Sequence, residues 1–144
     1  MDSNVLIYAH VPSMAAHSAV RSFMLEQMAN TETQLIITPA ILHEFVHIIT
    51  DARRFEPPVS MPEAIALARG FLGRTNIECL VTDEAALHLA LDMMERHRLG
   101  RNRLADTLFA ATLLANDVRE LITCNPSDYR IFSELRLIDP RAVA

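Results

Sequence analysis

Apolar residues along the chain follow two periods. Several segments place them three or four positions apart, which predicts amphipathic helices. Shorter runs are continuously apolar and rich in β-branched residues, which is typical of buried strands. The predicted helices cover residues 15–28, 38–54, 60–72, 82–94 and 102–115, with a short helical segment from 125 to about 135. The predicted strands cover residues 34–38, 77–81, 121–124 and 137–138, and the N-terminal segment 4–9 is short and apolar.

Three of the predicted helices begin with recognisable caps. Thr38 precedes Pro39, so a capping hydroxyl is followed by a residue suited to the first turn. Ser60 and Glu63 have the spacing of a capping box. Thr82 is the expected cap of the helix that follows the second strand.

Strands that alternate with helices predict an α/β fold with a central parallel sheet flanked by helices on both faces. The 144 residues contain no internal repeat and no linker, so we expect one domain over residues 1–144. In open parallel sheets, binding sites form beyond the carboxyl ends of the strands. We therefore expect functional polar residues near the carboxyl ends of the predicted strands.

The composition agrees with a globular cytoplasmic protein. Hydrophobic residues make up 51% of the chain, which argues against disorder. No apolar run reaches the ~18 residues of a membrane span, and no basic segment precedes an apolar one as in a signal peptide. Cys79 and Cys124 lie in apolar runs and are expected to be reduced core thiols.

Two acidic residues lie on predicted apolar helix faces. Glu44 is three residues after Ile41 and four before Ile48, and Asp106 shares a face with Phe109. A carboxylate on a buried face needs a partner, because an unpaired buried charge costs several kcal/mol.

Two further acids stand at the ends of apolar runs. Asp2 precedes the first run, and Asp128 follows the third predicted strand. Taken singly, each of the four acids could be a cap, a helix N-terminal acid or half of an ion pair. Gathered at one sheet edge they would repel one another, and a hard divalent cation with oxygen ligands, Mg²⁺ or Mn²⁺, would relieve that repulsion.

The order of four short segments resembles PIN-domain proteins, and the size and layout resemble the VapC-type toxins of bacterial toxin–antitoxin pairs. The matching segments are DSNVLIY (2–8), EFV (44–46), LADTLFAAT (104–112) and LITCNPSDY (121–129). The resemblance implies a parallel sheet of about five strands and metal-dependent endonuclease cleavage, usually of RNA. It also implies a homodimer and a cognate antitoxin. In that family a central strand leads into the first acid, whereas here only Met1 precedes Asp2, so either the natural start lies upstream or this strand is unusually short.

The resemblance also implies roles for individual residues. Asp2 and Asp106 would be the principal metal ligands, Glu44 a direct or water-mediated ligand, and Asp128 the fourth acid, binding one or two metal ions. Some relatives carry an acid at the position of Asn125, which could share the role of Asp128. Asn4 and Thr123 would orient acids by hydrogen bonds.

A second motif points to a different chemistry. His43-Glu44-Phe45-Val46-His47 matches the H-E-x-x-H signature of zinc metallopeptidases, in which two His one turn apart bind the metal. It offers no third ligand at the usual downstream spacing and leaves Asp106 and Asp128 unexplained. A PIN-like module that binds RNA or a partner without cutting is the third hypothesis, and the four acids argue against it.

The basic residues are all Arg, 13 in number, in a chain whose net charge is −5. Four of them cluster just before the predicted helix that carries Asp106. A guanidinium binds phosphate with two hydrogen bonds, so this cluster could bind an RNA backbone; a solvated loop is the equal alternative. The four residues are Arg96, Arg98, Arg101 and Arg103.

Overall fold

The computed structural model describes residues 1–142, so the last two residues of the predicted domain, Val143 and Ala144, lie outside it. The fold class is α/β, as predicted. The helices are α1 (Ser3–His10), α2 (His17–Ala29), α3 (Pro39–Ile49), α4 (Met61–Leu72), α5 (Glu84–Arg96) and α6 (Leu104–Ala115). The strands are β1 (Leu35–Ile37), β2 (Ile77–Cys79), β3 (Glu120–Ile122) and β4 (Arg136–Ile138), and short 3-10 turns cover Arg101–Arg103 and Pro126–Asp128.

Two of the three predicted caps are confirmed. The Thr38 hydroxyl accepts a hydrogen bond from the Ile41 amide, and the Ser60 hydroxyl accepts one from the Glu63 amide. The prediction for α5 is wrong by one residue, because its cap is Asp83, whose carboxylate accepts from the Ala86 amide at 2.8 Å. A carboxylate at this position also interacts favourably with the helix dipole.

Helix α1 is the main element that the pattern did not predict. Its apolar run is buried on almost every side, with Val5 and Leu6 fully inaccessible. A run without polar interruptions has no measurable period, so it cannot be assigned to helix or strand by pattern alone. The consequence is that the chain turns into a helix directly after Asp2.

The four strands form two separate parallel pairs, β1 with β2 and β3 with β4. The prediction of one continuous sheet of about five strands is therefore corrected for residues 1–142. The physical reason lies at Met1 and Asp2, which stand between the pairs. The Met1 amine donates to the Ile36 carbonyl at 2.7 Å, and the Asp2 amide donates to the Ile122 carbonyl at 2.9 Å. Met1 and Asp2 thus connect the two strand pairs, but they do not form a strand between them.

One hydrophobic core spans both strand pairs and the helices around them, with Phe45, Leu113 and Leu121 among its fully buried side chains. Cys79 and Cys124 are free thiols, as predicted. Burial raises the pKa of Cys124 to about 12, so its thiol stays protonated and unreactive at neutral pH. Within residues 1–142, none of the helices is both long and apolar enough to cross a membrane.

Candidate active site

Asp2 is the buried acid of the site, with a relative exposure of 6%. Its backbone is fixed by the bond to Ile122, and its side chain is held from two directions. Oδ2 accepts hydrogen bonds from Asn4 Nδ2 at 2.6 Å and from the Thr123 hydroxyl at 2.8 Å. Burial raises the pKa of Asp2, and the bond from Thr123 is the largest opposing effect. The carboxylate is thus rigidly oriented.

Asn4 and Thr123 both lie beside Asp2. The side-chain oxygen of Asn4 accepts a hydrogen bond from the Cys124 backbone amide at 2.8 Å. This bond orients the side chain so that Nδ2 donates to the Asp2 carboxylate. The Thr123 hydroxyl accepts hydrogen bonds from Asn4 Nδ2 and from the backbone amide of Asn125, and it donates one to Asp2. One donor and two acceptor sites are all that a hydroxyl offers, so this small network is complete.

Glu44 does not lie on a buried face, and that prediction is wrong. Helix α3 buries Ile41 and Phe45, whereas Glu44 lies just outside the buried stripe and is exposed. Its carboxylate nevertheless points into the site, because the Ser3 hydroxyl donates to Oε2 at 2.8 Å. Ser3 is a contact that the sequence reasoning missed; its only signal was its place between Asp2 and Asn4.

Asp106 and Asp128 both contact one nitrogen of the Arg103 guanidinium. Arg103 Nη1 is 3.4 Å from Asp106 Oδ2 and 3.0 Å from Asp128 Oδ1. Asn125 Nδ2 donates to the other oxygen of Asp128. Burial raises the pKa of Asp106, Arg103 opposes this, and the charges of Asp128, Asp2 and Glu44 raise it further. The four acids therefore share one electrostatic environment.

A cavity of about 300 Å³ is lined by all four acids, together with Ser3. Tyr129, which sequence reasoning also missed, is 2% exposed and lies beneath the same acids. Burial, reinforced by the charges of Asp2, Asp106 and Glu44, raises the pKa of Tyr129, so its phenol remains protonated. Its position directly after Asp128 was the only available signal.

The PIN domain model matches residues 1–133, a span that includes every one of these site residues. The chain belongs to the PIN domain family. Among its distant relatives are VapC ribonucleases of Mycobacterium tuberculosis (strain ATCC 25618 / H37Rv). Ribonuclease VapC33 is 26% identical over 139 residues, covering 96% of this chain and 95% of the relative. Ribonuclease VapC43 is 29% identical over 110 residues, covering 76% and 67%, and Ribonuclease VapC24 is 24% identical over 140 residues, covering 97% and 94%.

The acids of this PIN domain have the donor chemistry of a magnesium or manganese site, since all of their ligand atoms are oxygens. Within residues 1–142, however, no three His, Cys, Asp or Glu side chains are grouped closely enough to hold one ion. Both oxygens of Asp128 are engaged by other side chains, Oδ1 by Arg103 and Oδ2 by Asn125. The residues fit a divalent cation in kind, and the carboxylates would have to exchange these partners to bind it.

His43 and His47 lie on the exposed side of α3 in the PIN domain, with parallel rings 6.2 Å apart. In the part of the chain that the structure describes, no third His, Cys or acid joins them as a ligand group. The intervening Glu44 is held by Ser3 instead. This placement gives no support to the zinc peptidase alternative.

The four clustered arginines do not share one environment. Arg96, Arg98 and Arg101 are exposed, and Arg98 adopts a positive φ of 51° at the turn. Arg103 has 24% of its side chain exposed and lies inside the acidic site. The predicted basic cluster is thus divided between a surface group and one residue of the site.

Proposed function

We propose that the protein is a metal-dependent endoribonuclease that hydrolyses RNA phosphodiester bonds at the Asp2–Glu44–Asp106–Asp128 site. The observation that carries this proposal is the convergence of four carboxylates, from segments far apart in sequence, on one cavity. Burial is the main cause that raises the pKa of Asp106, and the charges of Asp128, Asp2 and Glu44 raise it further. A nearby cation would favour the ionised form of these carboxylates. The ribonuclease names of the relatives agree with this chemistry.

In the proposed reaction, Asp2 and Asp106 would be the principal ligands of Mg²⁺ or Mn²⁺, Glu44 would be a direct or water-mediated ligand, and Asp128 would be the fourth acid. When bound, the cation lowers the pKa of a coordinated water and stabilises charge on the phosphate. Asn4 and Thr123 keep Asp2 oriented and favour its ionised form. Hydrolysis would break the bond between the phosphorus and the leaving ribose oxygen, with water supplying both the oxygen that replaces it on phosphorus and the proton that the leaving oxygen takes up.

The same proposal includes the biological setting of a type II toxin: an RNA substrate, a cognate antitoxin that blocks the site, a homodimer and a place in the cytoplasm. The free thiols suit a reducing compartment. Leu87 and Leu91, one turn apart on α5, are 47% and 52% exposed. A second copy packed on this surface would bury them, and light scattering on the purified protein would give its mass in solution.

The function is tested by incubating purified protein with a cellular RNA pool in Mg²⁺, in EDTA, and in EDTA followed by excess Mg²⁺. The proposal expects internal cleavage with Mg²⁺, none in EDTA and recovery on re-addition. Cleavage that persists in EDTA would contradict it. Binding without cleavage would favour the non-catalytic module, and hydrolysis of peptides by a zinc-containing preparation would favour the peptidase.

A further inference from the structure

Among residues 1–142, Arg103 is the basic side chain that forms ion pairs with the acids of the site. It ends the 3-10 turn before α6, and its Nη1 lies between Asp128 at 3.0 Å and Asp106 at 3.4 Å. Its neighbour Arg101 is exposed. The guanidinium thus stands between two of the carboxylates proposed to bind a divalent cation.

This position makes Arg103 and the cation competitors for the same oxygens. Arg103 engages Asp128 Oδ1 and Asp106 Oδ2, and Asn125 engages Asp128 Oδ2. The Arg103 contacts are only partly buried, at 24%, 31% and 37% side-chain exposure for Arg103, Asp106 and Asp128. Ion pairs of this exposure contribute little to stability and are readily exchanged.

We propose that Arg103 is an internal counter-cation of the site, which holds Asp106 and Asp128 in the metal-free protein and contacts the RNA phosphate once the metal has taken those carboxylates. This inference rests on the proposed function. Its physical basis is that a guanidinium donates to carboxylate and to phosphate oxygens alike, and that Nη1 of Arg103 already lies at two carboxylate oxygens of the site. Release from the carboxylates therefore leaves a cation at the rim of the cavity where a phosphate would enter.

The first arm of the test is Mn²⁺ binding to the full chain by isothermal titration calorimetry. Arg103→Met removes the competing charge and should tighten Mn²⁺ binding about 5- to 10-fold, the size expected from two partly exposed ion pairs. Arg101→Met removes the same charge two residues away and should leave the Mn²⁺ affinity unchanged. Arg103→Lys retains the positive charge but not the guanidinium, so its Mn²⁺ affinity should lie between those of wild type and Arg103→Met. This variant replaces Arg103→Met in the test if Arg103→Met does not fold.

The second arm compares RNA affinity in Ca²⁺, a hard cation with the same oxygen preference, and in EDTA. Arg103→Met should weaken RNA binding in Ca²⁺ and leave it nearly unchanged in EDTA, where the wild-type guanidinium is held by the acids. Mn²⁺ affinity equal to or weaker than wild type in Arg103→Met would overturn the inference, as would equal losses of RNA affinity in both conditions. A wild type and an Arg103→Met variant that both bind no Mn²⁺ would instead overturn the proposed function, and the inference with it.

Discussion

Thr123 donates a 2.8 Å hydrogen bond from its hydroxyl to Oδ2 of Asp2, although the two residues lie 121 positions apart in the chain. Both side chains are buried, Thr123 completely. The contact joins the end of β3 to the residue that bridges the two strand pairs. It therefore connects the fold to the orientation of the buried acid.

Thr123→Val keeps the shape of the side chain and removes this bond, together with the acceptor for the Asn125 amide. A buried carboxylate oxygen and an amide would lose a partner, so the free energy of unfolding should fall by about 1–3 kcal/mol. RNA cleavage should slow because Asp2 is no longer held. Urea unfolding and cleavage rates measure both effects. Thr75→Val, at an exposed loop position, is the control, and equal behaviour of the two variants would refute the role of Thr123.

His10 should make the stability of the protein depend on pH. Its ring packs edge-on against Phe45 and Phe71, with centroids 5.5 Å apart in each case. Burial is the main cause that lowers the pKa of His10 below its usual 6.5. The folded state therefore keeps the ring neutral, while the unfolded chain binds a proton below about pH 6.5. The contribution of the neutral His10 ring to the free energy of unfolding is therefore fully present above about pH 6.5. It is lost as the pH falls towards the lower pKa of the folded state, by at most about 1.4 kcal/mol per pH unit.

Urea unfolding in EDTA at pH 7.5 and pH 5.5 measures this dependence. His10→Phe, which keeps an aromatic ring in place, should lose much less stability on acidification than wild type. His88→Gln, at an exposed position of α5, should behave like wild type. An unaltered pH dependence in His10→Phe would show that other groups cause it.

Arg101 should contribute to RNA binding through charge alone. It is exposed at the 3-10 turn that leads to the site. Arg101→Ala should weaken binding and reduce the slope of log affinity against log salt by about 0.7, the value for one contact to a single-stranded phosphate. A salt series by fluorescence anisotropy gives that slope. Arg69→Ala, at an exposed position of α4, is the control and should keep the wild-type slope. An identical slope for Arg101→Ala and wild type would exclude the contact.

The double variant His43→Ala and His47→Ala separates the two enzyme classes. Both rings are exposed, so their removal should leave the maximal rate of RNA cleavage within about twofold of wild type. A zinc peptidase would lose its metal and its activity. Zinc content and cleavage rate are measured on the same preparation, and a variant inactive towards RNA despite a normal melting temperature would count against the acidic site.

Much of the fold could be predicted because helical periods and capping residues are local signals. The features that could not be predicted depend on burial and on contacts between residues distant in sequence. Helix α1 carries no apolar period because it is buried nearly all round. The link between the two strand pairs depends on bonds of Met1 and Asp2 to residues that are distant in sequence. Asp2 and Asp128 could be proposed from the ends of apolar runs, and Glu44 and Asp106 from their spacing to apolar helix residues. Contacts such as Ser3 with Glu44, or Arg103 between Asp106 and Asp128, are tertiary and leave no spacing to detect.

The most direct test of the acidic site is the rate of Mg²⁺-dependent RNA cleavage by Asp106→Asn. Asp92→Asn, the same substitution at an exposed position of α5, is purified in parallel and controls for contaminating ribonucleases. We expect Asp106→Asn to lose at least about 100-fold in rate, as a residue acting at the reacting centre should, with a circular dichroism spectrum like that of wild type. Asp92→Asn should keep the wild-type rate. A folded Asp106→Asn variant that cleaves RNA as fast as Asp92→Asn would contradict the assignment of the site.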